Sequence, residues 1–291
     1  MKIRQLETAY CGNNIYSINE FDMDYMYIVK GSDRALLIDT GTGTSDYKSI
    51  SDKIVGNLPY DVVCTHSHID HVGGIDQFER IYIHPDDIPP IMVGEGKDGC
   101  ISVFNHQRYA KRGFAVNPDG SLPFTMEDFH PIDATKIEFI PIREGFSFDL
   151  GDRSFEVIEM PGHSKGCICL LDTKNKVLFA GDNVARVLIL SMDLSIEERV
   201  SMWLDGAKKL YVRKNDYNTI YAGHLCPAPM TLFEDMIRLA ESILDGSIKE
   251  EYAEVDEFKG PLFRYKSATF TLDPENLKTR DYRRILNPGM F

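Results

Sequence analysis

The chain has 291 residues, of which 43% are hydrophobic and 26% charged, and its formal net charge at pH 7 is −13. A chain of this length and composition can bury a sizeable core, which excludes global disorder and allows one large α/β domain or two smaller ones. The acidic balance, with no basic stripe, argues against a nucleic-acid partner, because binding a phosphate backbone rests on clustered Lys and Arg. We therefore expect a globular protein that acts on a small molecule.

Residues 1 to 7 lack the apolar core of a signal peptide, and no apolar run approaches membrane-spanning length. We expect a cytoplasmic protein without a membrane partner. The cysteines show no C-x-x-C pair, so we expect them to be reduced and mostly buried. Cys64 and Cys226 lie close in sequence to His66 and His224, which makes thiolate ligation of a metal an alternative to burial.

Alternating apolar residues predict the first sheet. The predicted strands are Asn14–Ile18, Tyr25–Val29, Ala35–Ile38, Asp61–Cys64 and Arg80–His84, with a helix from Ser45 to Val55. Open α/β sheets place their chemistry at the carboxyl ends of strands. The residues that follow Cys64 are therefore expected at a functional edge.

Three of the eight histidines lie within the segment Thr65-His66-Ser67-His68-Ile69-Asp70-His71. In an extended segment, residues two apart share a face, so His66 and His68 would project together and could bind one metal ion. If the chain then turns into a helix, Asp70 and His71 would point toward a neighbouring position, where a second metal ion fits. The alternative is a chance cluster of surface or hydrogen-bonded histidines.

Residues 90 to 135 interrupt the strand and helix pattern with glycines and scattered aromatic residues, directly after Pro89. We expect an insertion that forms an ordered lid or pocket wall. A packing cluster, or a subunit contact in a homo-oligomer, is the alternative. His106 and His130 lie here outside any ligand motif and are not expected to bind metal.

Strand patterns return after residue 136 and form a second strand-rich half. The predicted strands are Ile137–Ile140, Ser147–Leu150, Ser154–Ile158, Cys167–Leu171, Lys176–Ala180 and Thr219–Ala222, with an edge strand at Ala268–Leu272. Ser195 with Glu198, and Thr231 with Glu234, predict capping boxes for two covering helices.

Three more motifs place a histidine or an aspartate directly after a glycine: Gly162-His163, Gly181-Asp182 and Gly223-His224. Together with the His-x-His-x-Asp-His run, their order and spacing resemble the metallo-β-lactamase superfamily over nearly the whole chain. The resemblance implies an α/β fold, an αββα sandwich of two mixed β-sheets flanked by helices, in a single domain 1–291. It is less specific for substrate, because the superfamily contains thioesterases, lactonases, phosphodiesterases, nucleases and β-lactamases.

The resemblance also implies a dinuclear metal site. The first metal ion would be held by His66, His68 and His163, the second by Asp70, His71 and His224, and Asp182 would bridge the two. Mixed imidazole and carboxylate ligands suit Zn²⁺, with Fe or Mn as alternatives. Aspartate at position 182 resembles glyoxalase II and its lactonase relatives. Asp39 would support the site from outside the ligand set, although an ordinary turn aspartate is an alternative.

Two such metal ions would share a hydroxide and polarise a substrate carbonyl. Asp70 is the predicted catalytic residue, because it would orient that hydroxide and accept its proton after attack. Ser164 and Lys165 are weaker candidates for contacting substrate.

The acidic balance and the aromatic insertion favour a small acyl substrate, namely an ester, thioester or lactone. The alternatives are a phosphodiesterase acting on a small substrate and a mono-iron oxidoreductase of the persulfide-dioxygenase type. A binding protein without turnover is disfavoured, because no ligand position is missing.

We predict that protein purified without chelator carries about two transition-metal ions per chain, and that its thermal stability falls when they are removed. Elemental analysis after reconstitution with zinc, manganese or iron measures the first quantity, and thermal unfolding measures the second. Less than one ion per chain would contradict the dinuclear site.

Overall fold

The computed structural model describes residues 6–22, 24–92, 132–190, 194–255 and 258–271. Within them, the strands are β1 (Glu7–Gly12), β2 (Ile15–Glu20), β3 (Asp24–Lys30), β4 (Ala35–Ile38), β5 (Tyr60–Val63), β6 (Arg80–Ile83), β7 (Glu138–Pro141), β8 (Ser147–Asp149), β9 (Ser154–Glu159), β10 (Ile168–Asp172), β11 (Val177–Gly181), β12 (Val187–Ile189), β13 (Thr219–Ala222), β14 (Glu251–Val255), β15 (Phe258–Tyr265) and β16 (Ala268–Thr271). The helices are α1 (Tyr47–Val55), α2 (Ile69–Val72), α3 (Ile88–Met92), α4 (Ile196–Val212) and α5 (Met230–Leu244). The predicted lid or subunit contact lies largely outside the described residues.

Two mixed sheets form the centre of the fold. The first has the order β1-β2-β3-β4-β5-β6-β7, antiparallel from β1 to β4 and parallel from β4 to β7. The second has the order β13-β11-β10-β9-β8, in which β11 and β13 are parallel and the other pairs are antiparallel. Strand β1 was not predicted from the sequence.

Successive residues of the central strands pack into different cores, which explains the layer order. On β4, Leu36 belongs to a cluster shared by both sheets, whereas Leu37 belongs to a cluster shared with α1. On β10, Leu170 joins the cluster between the sheets and Leu171 joins a cluster with α4 and α5. Because side chains alternate along a strand, each sheet is covered on both faces. The predicted αββα sandwich is confirmed.

A third sheet has the order β12-β16-β15-β14. The predicted edge position of the strand at Ala268–Leu272 is wrong, because β16 pairs with β12 on one side and β15 on the other. The core face of this sheet includes Phe270, whose ring centroid lies 5.1 Å from that of Trp203 on α4. Strand β12 is only three residues long and carries no clear alternation, so its pairing was not visible in the sequence.

The capping-box prediction is right for α4 and wrong for α5. Ser195 accepts a hydrogen bond from the backbone of Glu198, whose carboxylate accepts one in return from the Ser195 backbone. Helix α5 instead begins at Met230 with Pro229 at the N-cap, which places Thr231 inside the first turn. No helix in the described ranges is long and apolar enough to cross a membrane.

A buried ion pair ties the second sheet to the first. The guanidinium of Arg153, just before β9, lies 2.7 Å from the carboxylate of Asp172 at the end of β10, and their side chains are 3% and 0% exposed. Arg153 also donates to the carbonyl of Asn13, in the turn between β1 and β2. Removal of Arg153 would therefore leave a buried carboxylate without its counter-charge.

We predict that Arg153→Met lowers the free energy of unfolding by about 3–5 kcal/mol, as expected when one partner of a buried ion pair is lost. The matched control is Arg80→Met, since Arg80 and Glu138 form an ion pair with side chains 56% and 63% exposed. An exposed pair contributes little to stability, because water and salt screen its charges, so Arg80→Met should cost far less than Arg153→Met. Urea unfolding measures both losses, and equal losses would contradict the role assigned to Arg153.

Candidate metal centre

The ends of four strands bring the seven predicted ligands together. The first group is His66, His68, His163 and Asp182, and the second group is Asp70, His71 and His224, with the ligand atoms of each group within 4.8 Å of one another. The run from His66 to His71 follows β5, and the other ligands follow β9, β11 and β13. The cluster therefore lies at one edge where both central sheets end.

The local backbone of the histidine run agrees with the predicted change from extended to helical. His68 is extended, with φ −68° and ψ 146°, and it is the N-cap of α2, a single turn that carries Asp70 and His71. The backbone N–H of His71 donates to the carbonyl of His68 at 2.9 Å. Because the chain changes from extended to helical here, His66 and His68 lie in the first group, whereas Asp70 and His71 lie in the second group.

Asp39 orients two of the histidines. One carboxylate oxygen lies 2.9 Å from Nδ1 of His71. The hydroxyl of Thr65 donates to the same carboxylate, at 2.9 and 3.1 Å from its two oxygens, and also lies 3.1 Å from Nδ1 of His66. Since the single Thr65 hydrogen is directed to Asp39, Nδ1 of His66 is the donor to Thr65. Both imidazoles therefore carry their hydrogen on Nδ1 and present Nε2 to the cluster.

His163 is oriented in the same way by a strand of the third sheet. Its Nδ1 lies 2.7 Å from the carbonyl oxygen of Ile189, which can only accept, so Nδ1 is the donor. Nε2 of His163 then faces Nε2 of His66 at 3.2 Å. In neutral rings both nitrogens carry lone pairs, which repel each other at this distance unless a proton or a metal ion lies between or beside them. The orientation of these rings therefore fits a metal ion.

Asp182 contacts histidines of both groups. Its Oδ2 lies 3.0 Å from Nε2 of His224 and 3.3 Å from Nε2 of His163, and its Oδ1 lies 3.1 Å from Nε2 of His71. The contact with His71 does not have hydrogen-bond geometry, and both of its atoms are buried without a hydrogen-bond partner among the described residues. Buried polar atoms normally have a partner. These two orphaned atoms are a second feature that fits a metal ion.

The charges in the cluster favour metal ligation by His66, His68 and Asp182. Burial lowers the pKa of His66 well below its usual value, and burial together with His163 lowers the pKa of His68 to about 3. Burial alone would raise the pKa of Asp182, but His224 and His71 outweigh it and hold that pKa well below its usual range. The side chains are thus neutral imidazoles and an ionised carboxylate, which are the forms that bind metal.

Glycines allow the backbone to approach the ligands closely. A Cβ on Gly223 would lie 2.3 Å from Oδ1 of Asp182 and 2.6 Å from Cε1 of His71. A Cβ on Gly73 would lie 2.2 Å from the backbone of Thr42. Any side chain at Gly223 or Gly73 would overlap these neighbouring atoms, which explains the glycines of the Gly-His and Gly-Gly motifs.

Asp87 is a structural residue of the site that sequence reasoning missed. This buried carboxylate accepts hydrogen bonds from the backbone of Ser67 at 2.9 Å, the hydroxyl of Ser164 at 2.7 Å and the backbone of Gly166 at 2.9 Å. It therefore joins the segment that carries His66 and His68 to the segment that carries His163. Ser164, considered as a substrate contact, is instead directed to Asp87.

The thiolate alternative gains no support within the described ranges. Neither Cys64 nor Cys226 belongs to a ligand group, and burial raises the pKa of both thiols. Three ligands are partly exposed: His68, and Asp70 and His224 with side chains 17% and 20% exposed. A substrate would reach the cluster at these ligands.

Comparison with known proteins identifies one family. A family model for the metallo-beta-lactamase superfamily matches residues 20–224, a range that includes all seven predicted ligands. A solved structure, the metallo-beta-lactamase from Pontibacter korlensis, superposes with a TM-score of 0.57 at 18% identity and covers 81% of this chain and 99% of that chain. At this identity, the structural likeness concerns the fold alone.

Several relatives have thioesterase names, and two of them serve as examples. The acyl-coenzyme A thioesterase MBLAC2 of Gallus gallus is 30% identical over 174 residues, which cover 55% of this chain and 57% of the relative. The atrochrysone carboxyl ACP thioesterase nsrC of Aspergillus novofumigatus is 26% identical, over 63% of this chain and 44% of the relative. The matched regions thus span about half the length of these relatives.

A buried carboxyl group lies behind the cluster. Asp24 is 1% exposed, and neither of its carboxyl oxygens has a hydrogen-bond partner among the described residues. Burial raises its pKa well above the usual value, and the nearby carboxylates of Glu20, Asp70 and Asp39 raise it further. Asp24 therefore keeps its proton in the folded protein at pH values where the unfolded chain has released it.

We predict that Asp24→Asn stabilises the metal-free protein progressively as the pH rises above about 4, the usual pKa of an aspartate. Unfolding of the wild type releases the Asp24 proton in this range, so its free energy of unfolding falls with pH, and the variant lacks this loss. The difference should grow by about 1.4 kcal/mol per pH unit until the raised pKa is reached. Urea unfolding with chelator at several pH values measures it, and a difference independent of pH would contradict the burial of a protonated Asp24.

Proposed function

Because this chain belongs to the metallo-β-lactamase superfamily, we propose that it is a metal-dependent hydrolase that cleaves a small acyl substrate, and specifically a thioester. The observation that carries the proposal is the convergence of His66, His163 and Asp182 on one point, with the Nδ1 hydrogens of both rings directed away from it. Ester and lactone hydrolysis use the same chemistry at the carbonyl. The names of the relatives favour the thioester.

The relatives support this choice through a chemical feature that they share. One is named for acyl-coenzyme A and the other for an acyl-carrier-protein substrate. In both carriers, the acyl group is a thioester at the end of a phosphopantetheine arm. A thioester carbonyl is also a good electrophile, so a site that activates water is sufficient for its hydrolysis.

Two metal ions would be held as the sequence analysis expected, one by His66, His68 and His163, and one by Asp70, His71 and His224, with Asp182 reaching both. When bound, they would polarise the substrate carbonyl and lower the pKa of water toward ~7. Zinc suits this ligand set, with iron or manganese as alternatives. A cytoplasmic location and a homo-oligomer remain part of the proposal.

Asp70 is the residue that would handle the proton. Its carboxylate lies 3.4 Å from Nε2 of His224 on the accessible side of the cluster. Burial would raise the pKa of Asp70, but His71 and His224 outweigh it and lower that pKa. Asp70 is therefore ionised near neutral pH. Its oxygens can orient the attacking water and accept its proton, while Asp39 and the Ile189 carbonyl hold the histidines in place.

The second ligand group argues against the mono-iron oxidoreductase. Such an enzyme would need only the first group, whereas Asp70, His71 and His224 also converge within ligand distance. The phosphodiesterase stays as the alternative hydrolase, because the same cluster could polarise a phosphoryl oxygen.

We predict that the metal-loaded protein hydrolyses acyl thioesters, and lactones or esters more slowly, at rates above that for bis-aryl phosphodiesters. A panel with matched acyl groups and a thiol-detecting assay measures this. Cleavage of the phosphodiesters with all acyl substrates intact would support the alternative and refute our proposal.

In the same assay, Asp70→Asn and His68→Ala should each lower kcat by at least ~10²-fold, as is typical for loss of a catalytic base or a preorganising group. Metal content separates their roles, because His68→Ala should weaken the first group and leave the second group intact. The control is Asp205→Asn, an exposed carboxylate on α4. Near-normal turnover of Asp70→Asn would show that the role assigned to Asp70 is wrong.

A further inference from the structure

A cavity that none of the predicted metal ligands lines has a volume of about 720 Å³ and a basic lining. We call it the basic pocket. Its cationic side chains are Arg186, Lys249, Arg264 and Lys266, and its other lining residues are Ser247, Ile248, Glu251, Ser267 and Thr269. Pockets of ~300–1,000 Å³ are of the size that binds cofactors and small ligands. The volume therefore admits a nucleotide-sized group.

The pocket is positive, although the whole chain has a net charge of −13. Its one carboxylate, Glu251, forms an ion pair with Arg264. Lys266 lies 3.4 Å from Asp235 outside the lining. In the described ranges, no carboxylate pairs with Arg186 or Lys249, so these two cations give the pocket its excess charge.

The two serine hydroxyls of the lining are already engaged. Ser267 donates to Asp235 at 2.8 Å, and Ser247 donates to the carbonyl of Ser242 at 3.3 Å. Recognition of a ligand would therefore rest on the cations. Arg and Lys side chains bind phosphate groups, with Arg able to donate two parallel hydrogen bonds.

Strand β12 connects the basic pocket to the metal centre. Arg186 precedes β12, and Ile189 at its other end accepts the hydrogen bond from His163 at 2.7 Å. Three residues of extended strand span ~10 Å. Asp182 lies four residues before Arg186, which limits their Cα separation to ~15 Å. The pocket therefore lies about the length of a short strand from His163 and Asp182, two of the predicted ligands.

The sheet register shows which face the pocket occupies. Thr269 pairs with Val187 on one side and with Arg264 on the other, so these residues share a face. The adjacent residues, Leu188 and Phe270, pack into the core on the opposite face. Ile189 lies two residues beyond Val187 and therefore on the pocket face. The pocket and the Ile189 side chain are therefore on the same face of this sheet, and the Ile189 carbonyl contacts His163 at the end of β12.

We propose that the basic pocket binds the phosphorylated nucleotide of coenzyme A, while the pantetheine arm extends along β12 and places the thioester at the metal centre. This inference rests on the proposed thioesterase function. A pantetheine arm contains two amide units and is comparable in length to about four extended residues, or roughly 15 Å. That length covers the ~10 Å span of β12 and the ~15 Å upper limit on the Cα separation of Asp182 and Arg186.

The shape and charge of the pocket favour coenzyme A over an acyl-carrier protein. Coenzyme A carries a diphosphate and a 3′-phosphate, which match several cations in one cavity. The arm of a carrier protein has one phosphodiester, and the protein itself would require a broad basic surface. The cations of the basic pocket line a cavity instead, which suits a small polyanion.

The test compares acyl-coenzyme A with the acyl-pantetheine of the same acyl group, which lacks every phosphate. Arg186→Glu and Lys249→Glu should each raise KM for acyl-coenzyme A by at least ~10-fold, the effect of losing one charge-assisted hydrogen bond. KM for acyl-pantetheine should stay within ~2-fold. Lys136→Glu is the matched control, since the Lys136 side chain is 79% exposed outside the pocket. It should change neither KM.

Equal effects on both substrates, or no effect on either, would overturn the basic pocket as the nucleotide site. Sensitivity to Lys249→Glu that appears only with an acyl-carrier-protein substrate would overturn the choice of coenzyme A.

Calorimetric titration with 3′,5′-ADP separates a failure of this proposal from a failure of the proposed function. If neither thioester is hydrolysed, binding of 3′,5′-ADP to the wild type that is lost in Arg186→Glu and Lys249→Glu still supports the pocket. Absence of binding to the wild type overturns it.

Discussion

The rest of this structure depends on the contact between two histidine rings, His66 and His163, at the edge where both central sheets end. His66 and His163 each donate through Nδ1, to Thr65 and Ile189, and their Nε2 atoms face each other at 3.2 Å. In neutral rings, two lone pairs so close are stable only with a proton or a metal ion beside them. The surrounding polar contacts keep the rings in this orientation. Asp39 contributes by accepting the hydrogen bond of Thr65, which in turn contacts His66.

The double-sheet architecture makes this meeting possible. One sheet supplies the histidine run after β5, and the other supplies Asp182 after β11 and His224 after β13. Backbone hydrogen bonds join these segments: the N–H of Gly223 donates to Gly181, and that of Tyr25 donates to Gly223, at 2.9 and 2.7 Å. Strand ends are rigid, so ligands placed there are held more exactly in position than ligands on long loops would be.

Charge is distributed unevenly in this protein, and that has a functional consequence. The excess of carboxylates lowers attraction for extended polyanions such as nucleic acids. A local group of cations around Arg186 and Lys249 reverses the sign over one cavity. A small phosphorylated carrier can use such a cavity, whereas a long phosphate backbone would also meet the acidic surface around it. The overall negative charge therefore disfavours nucleic acids, whereas the local positive charge of the basic pocket favours a small phosphorylated carrier.

The sequence by itself determined the features that depend on neighbouring residues. Alternation located most strands, the Ser195 capping box located α4, and the spacing of His66, His68, Asp70 and His71 predicted two ligand directions. Only the tertiary structure decided the role of Asp87, the interior position of β16 and the grouping of the four pocket cations. These features join segments far apart in the chain, such as Arg186 and Lys249, and distant contacts leave no local period to detect. Nothing in the sequence distinguishes Asp24, which precedes the predicted strand Tyr25–Val29, whereas the fold buries it without a hydrogen-bond partner among the described residues.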